Sequence, residues 1–372
     1  MIKFIHSSDL HLGKPFGRFP EDVRVRLRQA RADVPLRLAT FAKDHDASHI
    51  LLAGDTFDQT TPAPSVVRQT LNVMRAAEHV TWVLMPGNHD HANATELWRQ
   101  VAQDAPPNVV LVLEPEPFAL NPDTILFPAP PTERHPGRDL TAWFDQVAST
   151  QALRIGLAHG SVTDFNSSEE GASSVIAPDR AQRAGLSYLG LGDWHGQLQI
   201  GPETWYSGAP EADGFKHEQR PSALLVELAG ANTKAIVTSL PTGTINWRRV
   251  TLDLMGVEDC NAALELVLPP LSERALTLFD LLVTGRTGPM DRVALENACA
   301  KVGPDFLWHR VDLTALGMEH DTADLDMIDR QGALRAAAEV LSQEAADTSL
   351  SPEVRQTAQA ALSHLFSLAL DA

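Results

Sequence analysis

Short apolar, β-rich runs in the first part of the chain each stop on a cluster of Asp, Asn and His, and this recurrence constrains the fold more than any other feature. Lys3–Ser7 is followed by Ser-Asp9-Leu-His11, His49–Ala53 by Gly-Asp55-Thr-Phe-Asp58, and Thr81–Met85 by Pro-Gly-Asn88-His89-Asp90. Leu153–Ala158 runs into His159, and Tyr188–Gly192 into Asp193-Trp194-His195. Ligand sites of open α/β sheets gather just beyond the carboxyl ends of the strands, so these clusters should converge in space. Any one of them alone is an ordinary turn or helix cap. Five such clusters, each at the end of a strand, are not what turn chemistry produces.

Helix-like stretches at Glu21–Lys43 and Ser65–Ala77 separate the early strands, and alternating elements of this kind predict a layered α/β sandwich. Val109–Leu113, Ala223–Leu228 and Ala235–Ser239 read as further strands. The last two follow each other without a helix, so the sheet should finish antiparallel. A first domain over 1–245 would end near Leu240-Pro-Thr-Gly-Thr. Residues 246–330 hold one helix-like run (Val257–Leu266) and two strand-like ones (Thr277–Val283 and Phe306–Leu313), enough for a small α/β capping module. From 331 to 372 the signal is helical. Leu334, Ala337, Ala338, Leu341 and Ala345 keep helical spacing, and Ser351-Pro352-Glu353 starts a second helix. Its stripe is Val354, Ala358, Ala361, Leu362 and Leu365. With Phe366, Leu368 and Leu370 added, it covers more than one face and calls for partners on several sides. Ser167–Ser174 reads as a loop.

Imidazole and carboxylate without thiolate suit Mn, Fe or Zn. The two cysteines, Cys260 and Cys299, form no CxxC pair, which excludes a disulfide framework and a thiolate zinc site and fits a reducing, cytoplasmic setting. No apolar run approaches the roughly 20 residues of a membrane span, and the opening MIKFIHSSDLHLG has no basic n-region, so neither membrane nor secretory signal is expected. The ligand set is too large for one ion and suits two that share a carboxylate, the arrangement known for in-line attack on phosphorus. Charge pulls the other way: 48 acidic against 30 basic residues leave −18. A general DNA coater needs Lys and Arg to neutralise phosphates. The substrate is therefore small, or a local basic patch or bound metal attracts it, or a partner presents it. Arg24, Arg28 and Arg31 at helical spacing, with Lys14 and Arg18 nearer the first motif, are either a phosphate clamp or a solvated helix face. His6 reads as a core histidine; His45, His79, His135, His217, His309, His320 and His364 read as surface or satisfied ones.

The series Asp-x-His, Gly-Asp, Gly-Asn-His-Asp, His and Gly-Asp-x-His resembles the calcineurin-like metallophosphoesterase superfamily. Within it, SSDLHLG, AGDTFD and YSGAPE are most similar to SbcD-type DNA repair nucleases. The resemblance implies a sandwich of mixed sheets with flanking helices, a cap module and C-terminal helices. It implies one divalent ion held by Asp9, His11, Asp55 and His195. The second would be held by Asp55 as bridge with Asn88, His159 and Asp193. Mn²⁺ is the first expectation, with Fe or Zn as alternatives. A hydroxide bridging the ions would attack phosphorus while His89 serves as the catalytic histidine, with Asp90 or Asp58 available to orient it. The implied activity is a DNA exo- or endonuclease. Hydrolysis of nucleotides or other small phosphoesters is the alternative, and a non-catalytic metal-binding scaffold a further one. The C-terminal helices would dock a coiled-coil ATPase of the SbcC type or a second copy of the chain. One departure stands out. The superfamily has Gly-His-x-His where this chain has Gly192-Asp193-Trp194-His195. Aspartate there adds charge and shortens the reach, which leaves a harder second site favouring Mn²⁺, a weaker one, or a single-metal enzyme. Trp194 is either packing or a surface on which a base stacks.

Overall fold

Four apolar runs pair in parallel at the start of the chain: β1 (Ile2–Ser7), β2 (His49–Ala53), β3 (Thr81–Met85) and β4 (Val109–Leu111). The helices α1 (Glu21–Ala32), α2 (Val34–Asp44), α3 (Pro64–Ala76) and α4 (Thr95–Asp104) lie between them. These belong to a computed structural model that describes residues 1–147, 152–162, 175–216, 219–231, 233–255, 259–318 and 332–370. The chain divides into two compact units, Met1–Asn246 and Trp247–Ala372.

A second sheet of the first unit contains β5 (Phe118–Asn121), β6 (Thr124–Ala129) and β7 (Leu153–His159). After the two-residue pair β8 (Ser161–Val162) and β9 (Val175–Ile176) and the short helix α5 (Arg180–Arg183) come β10 (Tyr188–Gly192), β11 (Leu198–Gln199) and β12 (Thr204–Tyr206). Its order is β11-β12-β10-β7-β6-β5. The chain then returns to the first sheet through β13 (Ser222–Leu228) and β14 (Ile236–Pro241), both added antiparallel, giving β14-β13-β1-β2-β3-β4. Phe4, Leu51 and Val83 of one sheet meet Leu126, Ile155, Leu157 and Tyr188 of the other in a buried core. The outer faces are apolar as well. Ile50, Leu52, Trp82 and Leu84 pack under Leu38, Leu71 and Trp98, and Phe127, Leu189 and Leu191 pack with Phe144 and Ala181. Strands buried on both faces read as continuous hydrophobic runs, which is why β1, β2, β3, β7 and β10 could be found from sequence, whereas β6 was not.

The second unit has the sheet β15 (Asn246–Asp253), β16 (Thr277–Thr287) and β17 (Trp308–Met318) in that order. Its helices are α6 (Cys260–Val267), α7 (Leu271–Arg274), α8 (Pro289–Val302), α9 (Ala333–Ala346) and α10 (Pro352–Leu370). Leu264, Phe279, Leu281, Leu295 and Phe306 form its core. Asp259 caps α6 by accepting from the amides of Asn261 and Ala262, so the helix starts later than its apolar pattern suggests. The single helical stretch expected over Glu21–Lys43 is two helices. Pro35 has no amide to donate in a continuous helix and instead sits in the first turn of α2. On α9 and α10, Ala338 and Leu362 pack together with Met290, Leu341 and Leu365, while Leu334, Val340 and Val354 remain exposed. The Ser167–Ser174 loop, Val257, His217, His320 and the side chains of Phe366, Leu368 and Leu370 lie outside the described residues. Among the described residues no helix is long and apolar enough to cross a membrane.

Truncating Leu157, buried between the two sheets, should cost about 2–5 kcal/mol. Val340→Ser on the exposed face of α9 should stay within about 0.5 kcal/mol of the parent. Urea unfolding followed by circular dichroism compares the two.

Candidate metal centre

Beyond the ends of β1 and β2 the two strands keep pairing as loops. The amide of Asp9 donates to Gly54 O (3.1 Å), that of His11 to Asp55 O (2.9 Å) and that of Leu12 to Thr56 O (2.9 Å). This brings the first two motifs side by side. Asp90 adds the third. Its carboxylate accepts from the amides of Gly87 (2.7 Å) and Phe57 (3.0 Å), so it ties the loop after β3 to the loop after β2. The fifth motif arrives from the other sheet, where the amide of Asp193 donates to both carboxylate oxygens of Asp9 at 3.2 Å.

The backbone at these points is unusual. Asp9, His11, Asp55 and Asp193 all have positive φ (55°, 44°, 53° and 95°). That region is open to few non-glycine residues, and such strain collects at functional sites. Gly54 has φ +92°, and a Cβ there would stand 2.3 Å from His159 Nδ1. Only glycine lets β2 approach His159 this closely.

Asp9, His11, Asp55 and His159 are buried. The ligand-capable atoms of Asp9, Asp55 and His159 lie within 4.8 Å of one another, as do those of Asp9, His11 and His195. His159 Nδ1 lies 2.8 Å from Ala53 O and donates its proton there, which leaves Nε2 as the nitrogen available to a cation. That Nε2 is buried without a hydrogen-bond partner, 3.7 Å from Asp55 Oδ2 and 3.7 Å from Asp193 Oδ1. Asn88 Nδ2 donates to Asp193 Oδ1 (3.1 Å), and Asn88 Oδ1 is buried and unpartnered. His11 Nε2 and His195 Nε2 face each other at 3.3 Å, while their Nδ1 atoms lie 3.3 Å from Asp58 and 3.2 Å from Asp213 carboxylates. The Asp213 carboxylate at His195 Nδ1 favours a lone pair on His195 Nε2, whereas His11 Nδ1 lies near the Asp58 carboxylate without hydrogen-bonding to it.

Charge tells the same story. Burial lifts the Asp55 carboxyl well above its ordinary value, and Asp90 and Asp9 add to this. Burial pulls His159 down, but Asp55, Asp9 and Asp193 outweigh it and bring it up to about 9. These side chains therefore fit divalent cations: buried oxygen and imidazole donors with surplus negative charge and orphaned lone pairs.

All seven residues expected as ligands, Asp9, His11, Asp55, Asn88, His159, Asp193 and His195, lie in this cluster. His89 stands at its edge, with its ring edge-on to His11 at 4.8 Å between centroids. The group that orients it differs from expectation. Its Nδ1 lies 2.9 Å from the main-chain carbonyl of Asp58. The Asp58 carboxylate faces His11 instead, and Asp90 is spent on backbone amides. The arginine clamp also needs correction. Arg31 is buried and donates to the carbonyls of Leu10, Asp9 and Glu211, so it holds the protein together and cannot reach a bound phosphate. Arg24 and Arg28 both pair with Glu21. Arg18 lies over the Phe19 ring (4.8 Å) and near that of Phe215 (6.0 Å). Trp194 packs partly buried on the outer core of the second sheet, with Lys216 over its ring. Asp213 was not legible from sequence, because it sits past β12 at no strand end.

Residues 2–183 match the family described as calcineurin-like phosphoesterase. The chain thus carries a calcineurin-like phosphoesterase domain over these residues, and proteins of that family are phosphoester hydrolases that bind divalent metals. It is similar to the SbcD component of the SbcCD nuclease of Bacillus subtilis, 23% identical over 288 residues that cover 68% of this chain and 70% of that protein. It is also similar to the uncharacterised metallophosphoesterase YhaO of the same organism, 32% identical over 97 residues, or 24% of this chain and 23% of that one. Among solved structures, the TT1561 protein of Thermus thermophilus aligns over 64% of this chain and 98% of its own, with TM-score 0.43 and 13% identity.

Gly54→Ala should disrupt the centre without touching a donor atom. We expect at least a 10-fold weaker Mn²⁺ affinity, together with a lower unfolding temperature, because the new methyl displaces His159. Isothermal titration calorimetry and thermal unfolding measure the two effects.

Proposed function

We propose that this protein is a metal-dependent phosphodiesterase of SbcD-like type that cleaves DNA. The observation that carries the chemistry is the convergence of five strand-end motifs on one buried cluster with orphaned imidazole and amide lone pairs. Asp9, His11, Asp55 and His195 would hold one ion. Asp55, Asn88, His159 and Asp193 would hold the other. Such ions, when bound, supply Lewis acidity toward a phosphoryl oxygen and lower the pKa of water. The chain's own groups do the rest. The Asp58 carbonyl fixes the His89 ring, whose other nitrogen can hold a proton for the leaving oxygen. The amide of His89 donates to Asp55 Oδ1 (2.9 Å), so the proton carrier and the shared carboxylate move as one body. Asp193 in place of a neutral imidazole makes the second site harder and favours Mn²⁺ over Zn²⁺ or Fe.

The DNA reading is supported by similarity to a nuclease component over 68% of this chain. A cytoplasmic location follows from that reading and from two cysteines outside any CxxC pair. The same similarity supports a coiled-coil ATPase partner of the SbcC type, for which the exposed Leu334, Val340 and Val354 of the C-terminal helices offer a surface. A self-pairing of that face is the alternative. One observation favours small nucleotides or other phosphoesters as substrate: the charge of −18, with Arg24, Arg28 and Arg31 already committed to Glu21 and to carbonyl groups.

With bis-p-nitrophenyl phosphate and Mn²⁺, Asp55→Ala should abolish turnover and lower the bound metal. His89→Gln should lose about 10²–10⁴-fold in kcat with metal content unchanged. Retained turnover in both variants would leave the chain a metal-binding scaffold, and chelation by EDTA should silence the parent protein. A parallel assay of the parent on linear duplex DNA, single-stranded DNA and a panel of nucleotides decides the substrate. We expect cleavage of DNA, and activity confined to the nucleotides would replace the nuclease reading.

A further inference from the structure

Asp213 lies outside the residues that would bind metal, yet it is the group behind one of them. Its Oδ1 is 3.2 Å from His195 Nδ1, and its Oδ2 is 2.6 Å from the ammonium of Lys14. Both partners are remote in sequence. Lys14 belongs to the loop after β1, whereas Asp213 follows β12, so the pair spans the opening between the two sheets of the first unit. His195 holds the proton on Nδ1 only if something accepts it there, and Asp213 Oδ1 is placed to do so. On the far side of the ring, Nε2 points at His11 Nε2 (3.3 Å) and Asp9 Oδ1 (3.8 Å). The Lys14 ammonium, on the other carboxylate oxygen, aims Asp213 at the His195 ring.

We propose that Asp213 is the positioning residue for His195: it selects the tautomer with its lone pair on Nε2, and Lys14 holds Asp213 in place for that task. This rests on the metal-binding reading of the cluster and says which residue outside the ligand set makes His195 competent to bind. Groups that orient a ligating histidine in this way typically contribute about 10–100-fold to metal affinity. His159, assigned to the other ion, has its own acceptor in Ala53 O, so the loss of Asp213 should be felt at one ion and not the other.

The test uses the full chain. In calorimetric titrations with Mn²⁺, Asp213→Ala should weaken one of two binding events about 10–100-fold and leave the second as in the parent. Asp213→Asn, which keeps an accepting oxygen without the charge, should fall between the parent and Asp213→Ala. Lys14→Met should act in the same direction and more weakly. ¹⁵N spectra of the metal-free protein above pH 8 report the tautomer directly. The parent should show His195 protonated at Nδ1, and Asp213→Ala should shift the proton toward Nε2. A purely structural role would lower the unfolding temperature of Asp213→Ala while leaving the tautomer of His195 as in the parent, and that result would overturn the proposal. So would parental affinity at both events in Asp213→Asn and Asp213→Ala. If the parent itself binds no Mn²⁺, the metal reading fails, and the tautomer spectra still decide whether Asp213 sets the state of His195.

Discussion

The pairing of β1 with β2 does not stop where the strands do, and the cluster depends on that continuation. Three further backbone hydrogen bonds, from Asp9, His11 and Leu12 to Gly54, Asp55 and Thr56, carry two loops forward in register. Asp9, His11 and Asp55 within this zipper hold left-handed backbone, at a typical cost of about 1–3 kcal/mol each. Loops alone could not sustain it. The parallel strands behind them, buried on both faces, hold the ends in place, and Asp90 clamps the third loop to the second through two amides. The second sheet then closes the cluster from the other side, with the amide of Asp193 on the carboxylate of Asp9.

A buried group of carboxylates is costly unless positive charge compensates it. The protein as a whole makes this harder, since its net charge of −18 surrounds the site with the same sign. The compensation inside the cluster is incomplete. Asp55 is pushed toward its neutral form, and His159 is drawn toward its charged one. Divalent cations resolve both at once, because they accept lone pairs from neutral imidazoles and balance the carboxylates without any proton. Arg31, buried beside the cluster, adds positive charge felt by Asp9, Asp58 and Asp213, but gives its donors to the carbonyls of Asp9, Leu10 and Glu211 and thereby fixes the loop after β1.

Strand ends were legible in the sequence because the central strands are apolar on both faces and then break abruptly into polar residues. β2, β3 and β10 could be bounded to the residue on this basis. The strands β5, β11 and β12 were not legible, being short, with no periodicity long enough to register. At the site, residues that follow a strand directly could be picked out, whereas Asp213, Ser161 and the Asp58 carbonyl could not. Their roles depend on contacts between separate loops, and a carbonyl has no sequence signature at all. The arginine stripe shows the opposite error. Helical spacing put Arg24, Arg28 and Arg31 on one face, but spacing carries no information about Glu21 beside it or about the carbonyls that α1 covers.

Asp193 is where composition and geometry bear on each other most directly. An imidazole at this position has two nitrogens, one for an ion and one for a single neighbour. A carboxylate has lone pairs to spare. Asp193 takes a hydrogen bond from Asn88 Nδ2 on one oxygen and from Ser161 Oγ (3.2 Å) on the other, and still presents Oδ1 3.7 Å from His159 Nε2. By engaging the amide nitrogen of Asn88, it turns the amide oxygen away from itself, and that oxygen is the buried atom left without a partner. Aspartate here is therefore not a shortened histidine. It is coupled to Asn88, and the two present oxygen atoms beside one imidazole. Under the proposed metal reading, that composition would suit a hard, oxygen-seeking cation, while the half built on His11 and His195 keeps its nitrogen character.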